Sequence, residues 1–257
     1  MTRLAGHVSV VTGGNRGIGL GLAEGLVQAG ASVAVWARDE RRNEAACRRL
    51  DELAAAAAAG GRAVGVACDV SDEDQVAAAM AATLRAFGKV DSLFANAGVS
   101  GAARFVDMTL SEWRRVLAVN LDGAFLTLRE AARHLVDRGE GGSLVAVSSV
   151  SAIHGAPAQE HYAASKTALL AVVRGLAVEL ARHRVRCNAI LPGWTDTEML
   201  ELGRSNERFV EATIRRTPVR RWGVPSDFGE LAAYLADPSL TFHTGDSIVV
   251  DGGYSIF

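Results

Sequence analysis

The stretch Val8-Ser9-Val10-Val11-Thr12-Gly13-Gly14-Asn15-Arg16-Gly17-Ile18-Gly19 decides the fold of this chain. It starts as a short apolar run typical of a buried strand and passes through four glycines into a helical pattern. Glycines at such a turn let the backbone approach a pyrophosphate, which the free N–H groups of the helix N-terminus bind. The spacing is G-x-x-x-G-x-G rather than the common G-x-G-x-x-G, so the turn alone also fits a tight strand-to-helix connection.

The same alternation of strand and helix continues along the chain. It predicts strands near 7–12, 32–37, 63–68, 91–95, 143–148, 185–191 and 247–250. It predicts helices near 17–29, 40–59, 72–87, 111–136, 161–182 and 225–236, with a shorter one around 198–214. Short strands with helical crossovers indicate an α/β, Rossmann-type fold, a doubly wound parallel sheet of about seven strands with helices on both faces. Because no Pro/Ser-rich linker divides the pattern, we expect a single domain over 1–257 with a substrate loop around 194–222.

Composition narrows the functional class. A net charge of −2 gives no reason to expect a nucleic acid or an anionic membrane as partner. Cys47, Cys68 and Cys187 are odd in number and far apart, and the six histidines are scattered, so we expect neither a disulfide framework nor a catalytic metal. No signal peptide and no uncharged apolar run near 18 residues is visible, which favours a cytoplasmic protein.

Two features after the glycine turn bear on packing and on cofactor choice. Gly21 and Gly25 follow at helical spacing, which predicts close packing of this helix on the sheet. The second strand ends in Trp36-Ala37-Arg38-Asp39, where an acid would bind a ribose 2′-hydroxyl and an arginine would accommodate a 2′-phosphate. Arg38 with Arg16 forms a plausible phosphate clamp, although Arg38 also begins a charged, solvated stretch.

The run from Ser149 to Lys166 carries the candidate chemistry. It leaves a β-branched strand, passes a loop marked by Gly155 and Pro157, and enters a helix. Tyr162 and Lys166 lie four apart on one helix face, so the ammonium is expected to lower the pKa of the phenol toward neutral pH. Tyr162 is therefore a candidate general acid/base, and Ser149 could hydrogen-bond the same reacting oxygen.

Two asparagines lie in apolar surroundings. Asn96-Ala97-Gly98 ends the fourth strand at the sheet edge where ligands bind in such folds. Asn120 lies inside the apolar helical stretch 116–121, where a buried amide needs partners that either packing or a proton relay would supply.

These motifs occur in one order: the glycine turn, Asn96-Ala97-Gly98, Asn120, Ser149, Tyr162 with Lys166, and Pro192-Gly193. In that order the chain resembles the short-chain dehydrogenase/reductase family over almost its whole length, and most resembles single-domain 3-oxoacyl-carrier-protein reductases. The resemblance implies that Tyr162 exchanges the proton while Lys166 lowers its pKa and binds the nicotinamide ribose. It further implies that Ser149 orients the substrate carbonyl and that Asn120 holds a relay water.

The resemblance also implies a cofactor site. Its residues would be Gly13, Asn15, Arg16, Gly17, Ile18, Gly19, Arg38, Asp69, Val70, Asn96, Ala97, Gly98, Tyr162, Lys166, Pro192, Gly193, Thr195 and Thr197. Members that prefer the unphosphorylated cofactor carry Asp where this chain has Ala37, so the expected cofactor is NADP(H), with NAD(H) possible.

The substrate is a small carbonyl compound or alcohol whose identity the sequence leaves open. Residues expected near it are Ser151, His154, Gln159, Trp194 and Met199. A 3-oxoacyl thioester or ketone reductase fits, as does a sugar or secondary-alcohol dehydrogenase that uses NAD(H). A non-catalytic nucleotide sensor is the alternative from another class, although a sensor has no need of the complete Ser149, Tyr162 and Lys166 set.

The helix from His161 to Ala181 predicts self-association. Its apolar residues spread around more than one face, and apolar surface beyond one stripe usually marks a protein contact. We therefore expect a homo-oligomer, and specifically a homotetramer built as a dimer of dimers.

Overall fold

Seven parallel strands form one sheet in the computed structural model, which describes residues 3–58 and 60–257. They are β1 (Val8–Thr12), β2 (Ser32–Ala37), β3 (Ala63–Ala67), β4 (Ser92–Ala95), β5 (Gly142–Val147), β6 (Val185–Pro192) and β7 (Ser247–Val250). The strand order is β3-β2-β1-β4-β5-β6-β7, which confirms the doubly wound parallel sheet. The order reverses between β1 and β4, and in such sheets ligands bind at the carboxyl ends of the strands beside that point.

Helices cover both faces of the sheet. They are α1 (Gly17–Gln28), α2 (Glu40–Ala56), α3 (Glu73–Phe87), α4 (Leu110–Leu117), α5 (Gly123–Arg138), α6 (Glu160–Leu180), α7 (Glu201–Arg204), α8 (Glu207–Arg216) and α9 (Gly229–Ala236). The predicted helix 40–59 ends at Ala56 in the structure, and position 59 lies outside the described residues.

Two hydrophobic cores lie on opposite faces of the sheet. Val10 and Val11 are adjacent on β1 and belong to different cores, because successive side chains of a strand point to opposite faces. The core of Val10 is closed by α3, α5 and α6, and that of Val11 by α1, α2 and α9. Trp36 is fully buried on the first of these faces, where its indole N–H donates to Thr83 Oγ1 at 2.9 Å. Both cores hold the strand ends of the central sheet in fixed register.

The close packing of α1 differs from the prediction. Gly21 and Gly25 face the C-terminal segment rather than the sheet: a Cβ at Gly21 would overlap the carbonyl of Pro225, and one at Gly25 would overlap the backbone of Gly229. The two glycines therefore let α1 approach the 3₁₀ turn Pro225–Phe228 and the start of α9 at backbone distance. The prediction of close approach was right, but its partner was wrong.

Two predicted helices are interrupted. The helix predicted over 111–136 is divided into α4 and α5 by a π-helical segment, Ala118–Asp122, which contains Asn120. The helix predicted over 198–214 is divided into a short 3₁₀ turn, Glu198–Leu200, followed by α7 and α8. Inserted π-helical turns are uncommon in proteins, and those that occur are often found at functional sites.

Candidate active site

The glycine turn is fastened to the end of β4. Thr12 Oγ1 accepts hydrogen bonds from the backbone N–H groups of Asn96 and Ala97, both at 2.9 Å. The Asn96 side chain returns a bond from Nδ2 to Thr12 O at 2.8 Å. The Asn96 side chain, predicted to lie near the ribose, thus has a structural role, since it holds the glycine turn after β1 against the end of β4.

The turn leaves room for a pyrophosphate. Gly13 and Gly17 adopt φ values of +63° and +52°, a left-handed conformation that favours glycine. A Cβ at Gly13 would lie 3.1 Å from Ala97 Cα. Helix α1 begins at Gly17, and its N-cap residue, Arg16, makes no side-chain cap. The first N–H groups of α1 therefore remain available to an anion, which fits the dinucleotide that the sequence implies.

The cations at the cofactor end are arranged differently from the predicted clamp. Arg16 does not pair with Arg38; its Nη1 lies 2.7 Å from Glu198 Oε2, the same oxygen that Arg42 Nη1 approaches at 2.9 Å. Arg38 is instead 3.8 Å from Asp69. Arg42 was missed by the sequence analysis because it lies in the first turn of α2, among other charged residues.

Asp39, the acid that complicated the cofactor prediction, is engaged within α2. Its side chain accepts from the backbone N–H of Arg42 at 3.1 Å and so caps the helix. Its second oxygen is 3.5 Å from Arg42 Nε. The carboxylate at this strand end therefore serves to start α2.

The other residues predicted for this end of the cofactor site are fixed by contacts with neighbouring elements. Asp69 Oδ1 accepts from both the N–H and the hydroxyl of Ser71. Val70 is buried and packs against Gly123, where a Cβ would meet Val70 Cγ2 at 2.7 Å. Asn15 donates to Asn43 Oδ1 at 2.8 Å, which ties the glycine turn to α2. Ile18 and Gly19 lie in the first turn of α1.

The three residues predicted to react lie together at the carboxyl ends of the central strands. Ser149 follows β5, and its hydroxyl accepts the N–H of Ser151 at 3.1 Å. Tyr162 and Lys166 lie one turn apart on α6, with Lys166 Nζ 5.7 Å from the centre of the Tyr162 ring. Lys166 is buried and donates to Val147 O at 2.8 Å.

The electrostatics of this group differ from the expectation. Burial raises the pKa of the Tyr162 phenol above its usual value, and the hydrogen bond of Ser149 lowers it by a smaller amount. Burial also lowers the pKa of Lys166 to about 8. In the ligand-free chain, desolvation thus dominates the pKa of Tyr162, and the phenol is neutral near pH 7.

Asn120 is fully buried in the π-helical segment. Its Oδ1 accepts from Val99 N–H at 2.8 Å, and its Nδ2 donates to Val99 O at 3.0 Å and to Ser165 Oγ at 3.2 Å. A Cβ at Gly98 would lie 3.3 Å from Asn120 Oδ1 and 3.5 Å from Lys166 Nζ. The asparagine therefore joins the end of β4 to α6 immediately beside Lys166.

The segment after β6 crosses above the glycine turn. Pro192 ends the strand, and Gly193 N–H donates to Val250 O at 3.0 Å. Thr195 is buried with its hydroxyl bonded to Gly193 O. Thr197 lies over the turn, since a Cβ at Gly17 would meet its Cγ2 at 3.3 Å. The predicted nicotinamide segment is thus in place against the start of α1.

The predicted substrate residues surround the same strand ends. Gln159 donates to Ser100 Oγ at 3.3 Å, and Met199 is half exposed. His154 Nε2 and Trp194 Nε1 are buried without a hydrogen-bond partner in the described chain. Buried polar groups are seldom left unpaired, so these two enclosed nitrogens are the polar atoms of this region whose pairing the ligand-free chain leaves incomplete.

Trp194, predicted near the substrate, lies in an aromatic group whose other members were not predicted from the sequence. Trp194 contacts Phe209 and Tyr254 edge-to-face, with ring centres 5.0 and 6.2 Å apart. Arg216 lies over the Tyr254 ring at 4.4 Å. The signal was present as isolated aromatics in separate segments, but their convergence depends on the packing of α8 against the C-terminal turn.

Among the residues that the structure describes, no group of three or more His, Cys, Asp or Glu side chains could hold a metal ion. No helix in residues 3–58 or 60–257 is long and apolar enough to cross a membrane.

A glycine turn at the switch point of this sheet, with a serine, tyrosine and lysine at the adjoining strand ends, defines a dinucleotide-binding oxidoreductase of the α/β class. A family model described as enoyl-(acyl carrier protein) reductase matches residues 13–255. L-rhamnose 1-dehydrogenase (NAD(P)(+)) of Sphingomonas sp. is 36% identical over 98% of both chains. The 3-oxoacyl-[acyl-carrier-protein] reductase of Chlamydia pneumoniae is 32% identical over 97% of both.

A solved structure agrees. That of a gluconate 5-dehydrogenase from Burkholderia cenocepacia, in complex with NADP and tartrate, matches with a TM-score of 0.91 and 32% identity over 99% of this chain and 97% of its own. The chain therefore belongs to the short-chain dehydrogenase/reductase family, as its motifs indicated, and is an NAD(P)-dependent oxidoreductase that acts on CH–OH groups and their carbonyl products.

Proposed function

We propose that Tyr162 is the general acid/base of this oxidoreductase, with Ser149 and Lys166 as its partners. The observation that carries the proposal is the convergence of a serine hydroxyl, a phenol and a buried ammonium at the carboxyl ends of β4 and β5. When bound, the nicotinamide cofactor supplies or accepts the hydride. Tyr162 gives its proton to the substrate oxygen in reduction, and Ser149 donates a hydrogen bond to that oxygen where negative charge develops.

Lys166 is proposed to act on the phenol through its charge. The neutral phenol is ready to donate a proton, whereas the oxidative direction needs the phenolate, which a nearby ammonium favours. With a pKa of about 8, Lys166 is mostly charged at pH 7 and close to its titration. Asn120 has both side-chain amide hydrogens in protein hydrogen bonds, so we propose that it positions Val99 and Ser165 rather than holding a water through its amide N–H groups.

The proposed cofactor is NADP(H). Ala37 stands where an acid would bind the ribose 2′-hydroxyl, and Asp39 is used as the cap of α2. Arg16 and Arg42 hold an anionic oxygen between them, as a 2′-phosphate site would. Arg38 is two-thirds exposed, and its single long contact, 3.8 Å to Asp69, can be exchanged for a contact with the same end of the cofactor.

The proposed substrate is a small polyhydroxylated secondary alcohol, of sugar or sugar-acid type, or the corresponding carbonyl compound. Unpartnered nitrogens of His154 and Trp194 suit hydroxyl groups, and a Trp194 ring suits the C–H face of a sugar. Relatives named for rhamnose and gluconate support this choice over a 3-oxoacyl thioester. Arg221 is paired with Asp227, which leaves less free positive charge for an acidic carrier.

The test is an assay of absorbance at 340 nm with NADP⁺ against aldoses, aldonic acids and simple secondary alcohols, and with NADPH against 3-oxoacyl thioesters. We expect turnover of at least one polyol and a much weaker response to the thioesters. Turnover of thioesters alone would overturn the proposed substrate class while leaving the reaction class intact.

We also propose that the chain is one domain and assembles as a homotetramer. Fewer apolar residues of α6 are exposed for a contact between copies than its sequence implied, because Leu169 and Val173 are buried in the chain's own core. Val178 on α6 is 82% exposed, and Phe125 on α5 is 47% exposed. Exposed apolar residues on these two helices favour a contact between copies.

A further inference from the structure

The two arginines at the end of the proposed cofactor site are already paired with a carboxylate of this chain. Glu198, in the 3₁₀ turn that opens the substrate loop, accepts hydrogen bonds from Arg16 at 2.7 Å and from Arg42 at 2.9 and 3.2 Å. Those hydrogen bonds lower the pKa of Glu198, so the carboxylate is ionised at neutral pH. The three side chains line a cleft of about 260 Å³ next to Asn15.

We propose that Glu198 is a cofactor-selectivity residue, which competes with the cofactor's 2′-phosphate for Arg16 and Arg42. The inference rests on the proposed use of NADP(H). A carboxylate that bridges two guanidinium groups has the chemistry of the phosphate that the same pair would bind. NADP(H) must displace Glu198 before both arginines can hold the phosphate, whereas NAD(H), which has no group to place there, need not.

The competition is of moderate strength because the three side chains are about half exposed. Exposed ion pairs contribute little each, so the pairing can be exchanged for a phosphate that carries nearly two charges at pH 7. Glu198 therefore moderates the preference for NADP(H) rather than blocking it.

The position of Glu198 in the chain gives the competition a second consequence. Thr197 is the neighbouring residue, and it lies against Gly17 at the start of α1. The turn Glu198–Leu200 leads directly into α7 on the substrate side. Displacing the carboxylate thus loosens the start of the substrate loop when NADP(H) binds, but not when NAD(H) binds.

The experiment measures binding, not turnover. Dissociation constants for NADPH, NADH, adenosine 2′,5′-bisphosphate and 5′-AMP are measured by calorimetry on the wild type and on Glu198→Gln. The matched control is Glu201→Gln, which removes the same charge three residues later at an exposed carboxylate without an ion pair in the described chain. The double variant Glu198→Gln/Arg42→Gln reports whether Arg42 provides the gain.

We expect Glu198→Gln to bind NADPH and the bisphosphate about 2- to 30-fold tighter, the range for releasing two exposed pairs, with less than about 2-fold change for NADH and 5′-AMP. Glu201→Gln should match the wild type within about 2-fold, and the double variant should lose most of the gain. Unchanged or weaker binding of the bisphosphate to Glu198→Gln, or an equal gain for 5′-AMP, would overturn the inference.

The same data separate this inference from the proposed cofactor preference. If the wild type binds NADH more tightly than NADPH, the proposed preference fails. If Glu198→Gln still shifts the ratio of the two constants toward NADPH in that case, the competition by Glu198 stands. If the ratio does not move, the competition fails whichever cofactor the wild type prefers.

Discussion

Lys166→Met is expected to change how the stability of the protein depends on pH. Lys166 is 4% exposed, and burial lowers its pKa from 10.5 to about 8. Between these values the unfolded chain binds the lysine proton and the folded chain releases it, so the free energy of unfolding rises with pH. Below pH 8 the folded protein carries the full penalty of a buried ammonium, about 3 kcal/mol at 1.36 kcal/mol per pKa unit.

The assay is urea unfolding of wild type and Lys166→Met at pH 7.0 and pH 9.5. Methionine keeps an unbranched side chain of similar length and removes the charge. From the two pKa values, the free energy of unfolding of the wild type should gain about 2 kcal/mol relative to the variant between these pH values. The hydrogen bond to Val147 O is lost in the variant at both pH values. Its loss therefore changes the difference in free energy of unfolding between the two proteins by the same amount at each pH, and does not change how that difference depends on pH.

Parallel stability profiles for the two proteins would refute the reasoning, because they would show that the ammonium is not desolvated by folding. The variant should also bind cofactor weakly and lose turnover, since two roles are proposed for this lysine. A variant that is more stable than the wild type at pH 7 and inactive would show a site that is costly to fold and necessary for the reaction.

Three further outcomes are expected. Tyr162→Phe should leave NADPH binding nearly unchanged by calorimetry and lower kcat by roughly 10²–10⁴-fold; retention of more than about half the activity would contradict the acid/base role. Burial lowers the pKa of His7 to about 4, so its contribution to the free energy of unfolding is fully present above pH 6.5 and is lost as the pH falls below that value. Urea unfolding should show that the wild type loses about 2 kcal/mol more than His7→Gln between pH 7 and pH 5. In sedimentation, Val178→Glu should weaken assembly of a folded chain, whereas Val173→Glu, at a fully buried position, should impair folding itself; an unchanged species for Val178→Glu would remove α6 from the contact.

The fold could be predicted because its signals are local. Each strand is a short apolar run between polar turns, and the parallel order follows once helices separate the strands. The candidate reacting residues could also be predicted from local pattern, since Tyr162 and Lys166 are one helical turn apart and Ser149 lies two residues after the end of β5. What the sequence could not supply was their environment, because desolvation depends on everything that packs around them. The expected lowering of the Tyr162 pKa failed for that reason.

The interruption at Asn120 shows a second limit. Residues 111–136 have an uninterrupted helical pattern, so the sequence predicts one helix. The π-helical turn is associated with long-range bonds of the Asn120 side chain to Val99 and Ser165, 21 and 45 residues away. A buried asparagine in an apolar helix indicated that such partners must exist, but not that the backbone would widen to meet them.

The pairing of Arg42 with Glu198 is a feature of the site that the sequence pattern does not predict. The two residues are 156 positions apart, and each lies in a stretch where a charged side chain is ordinary. The sequence predicts Arg16 as a phosphate ligand from its place in the glycine turn, and it predicts Arg38 as the partner of Arg16 because Arg38 follows the second strand. In the structure Arg38 lies beside Asp69 instead. The first turn of α2 instead carries Arg42 back over the cleft, and the substrate loop brings Glu198 to it. Under the proposed competition, cofactor selectivity depends on which acid and which arginine the loops bring together, and not on a single residue at the end of β2.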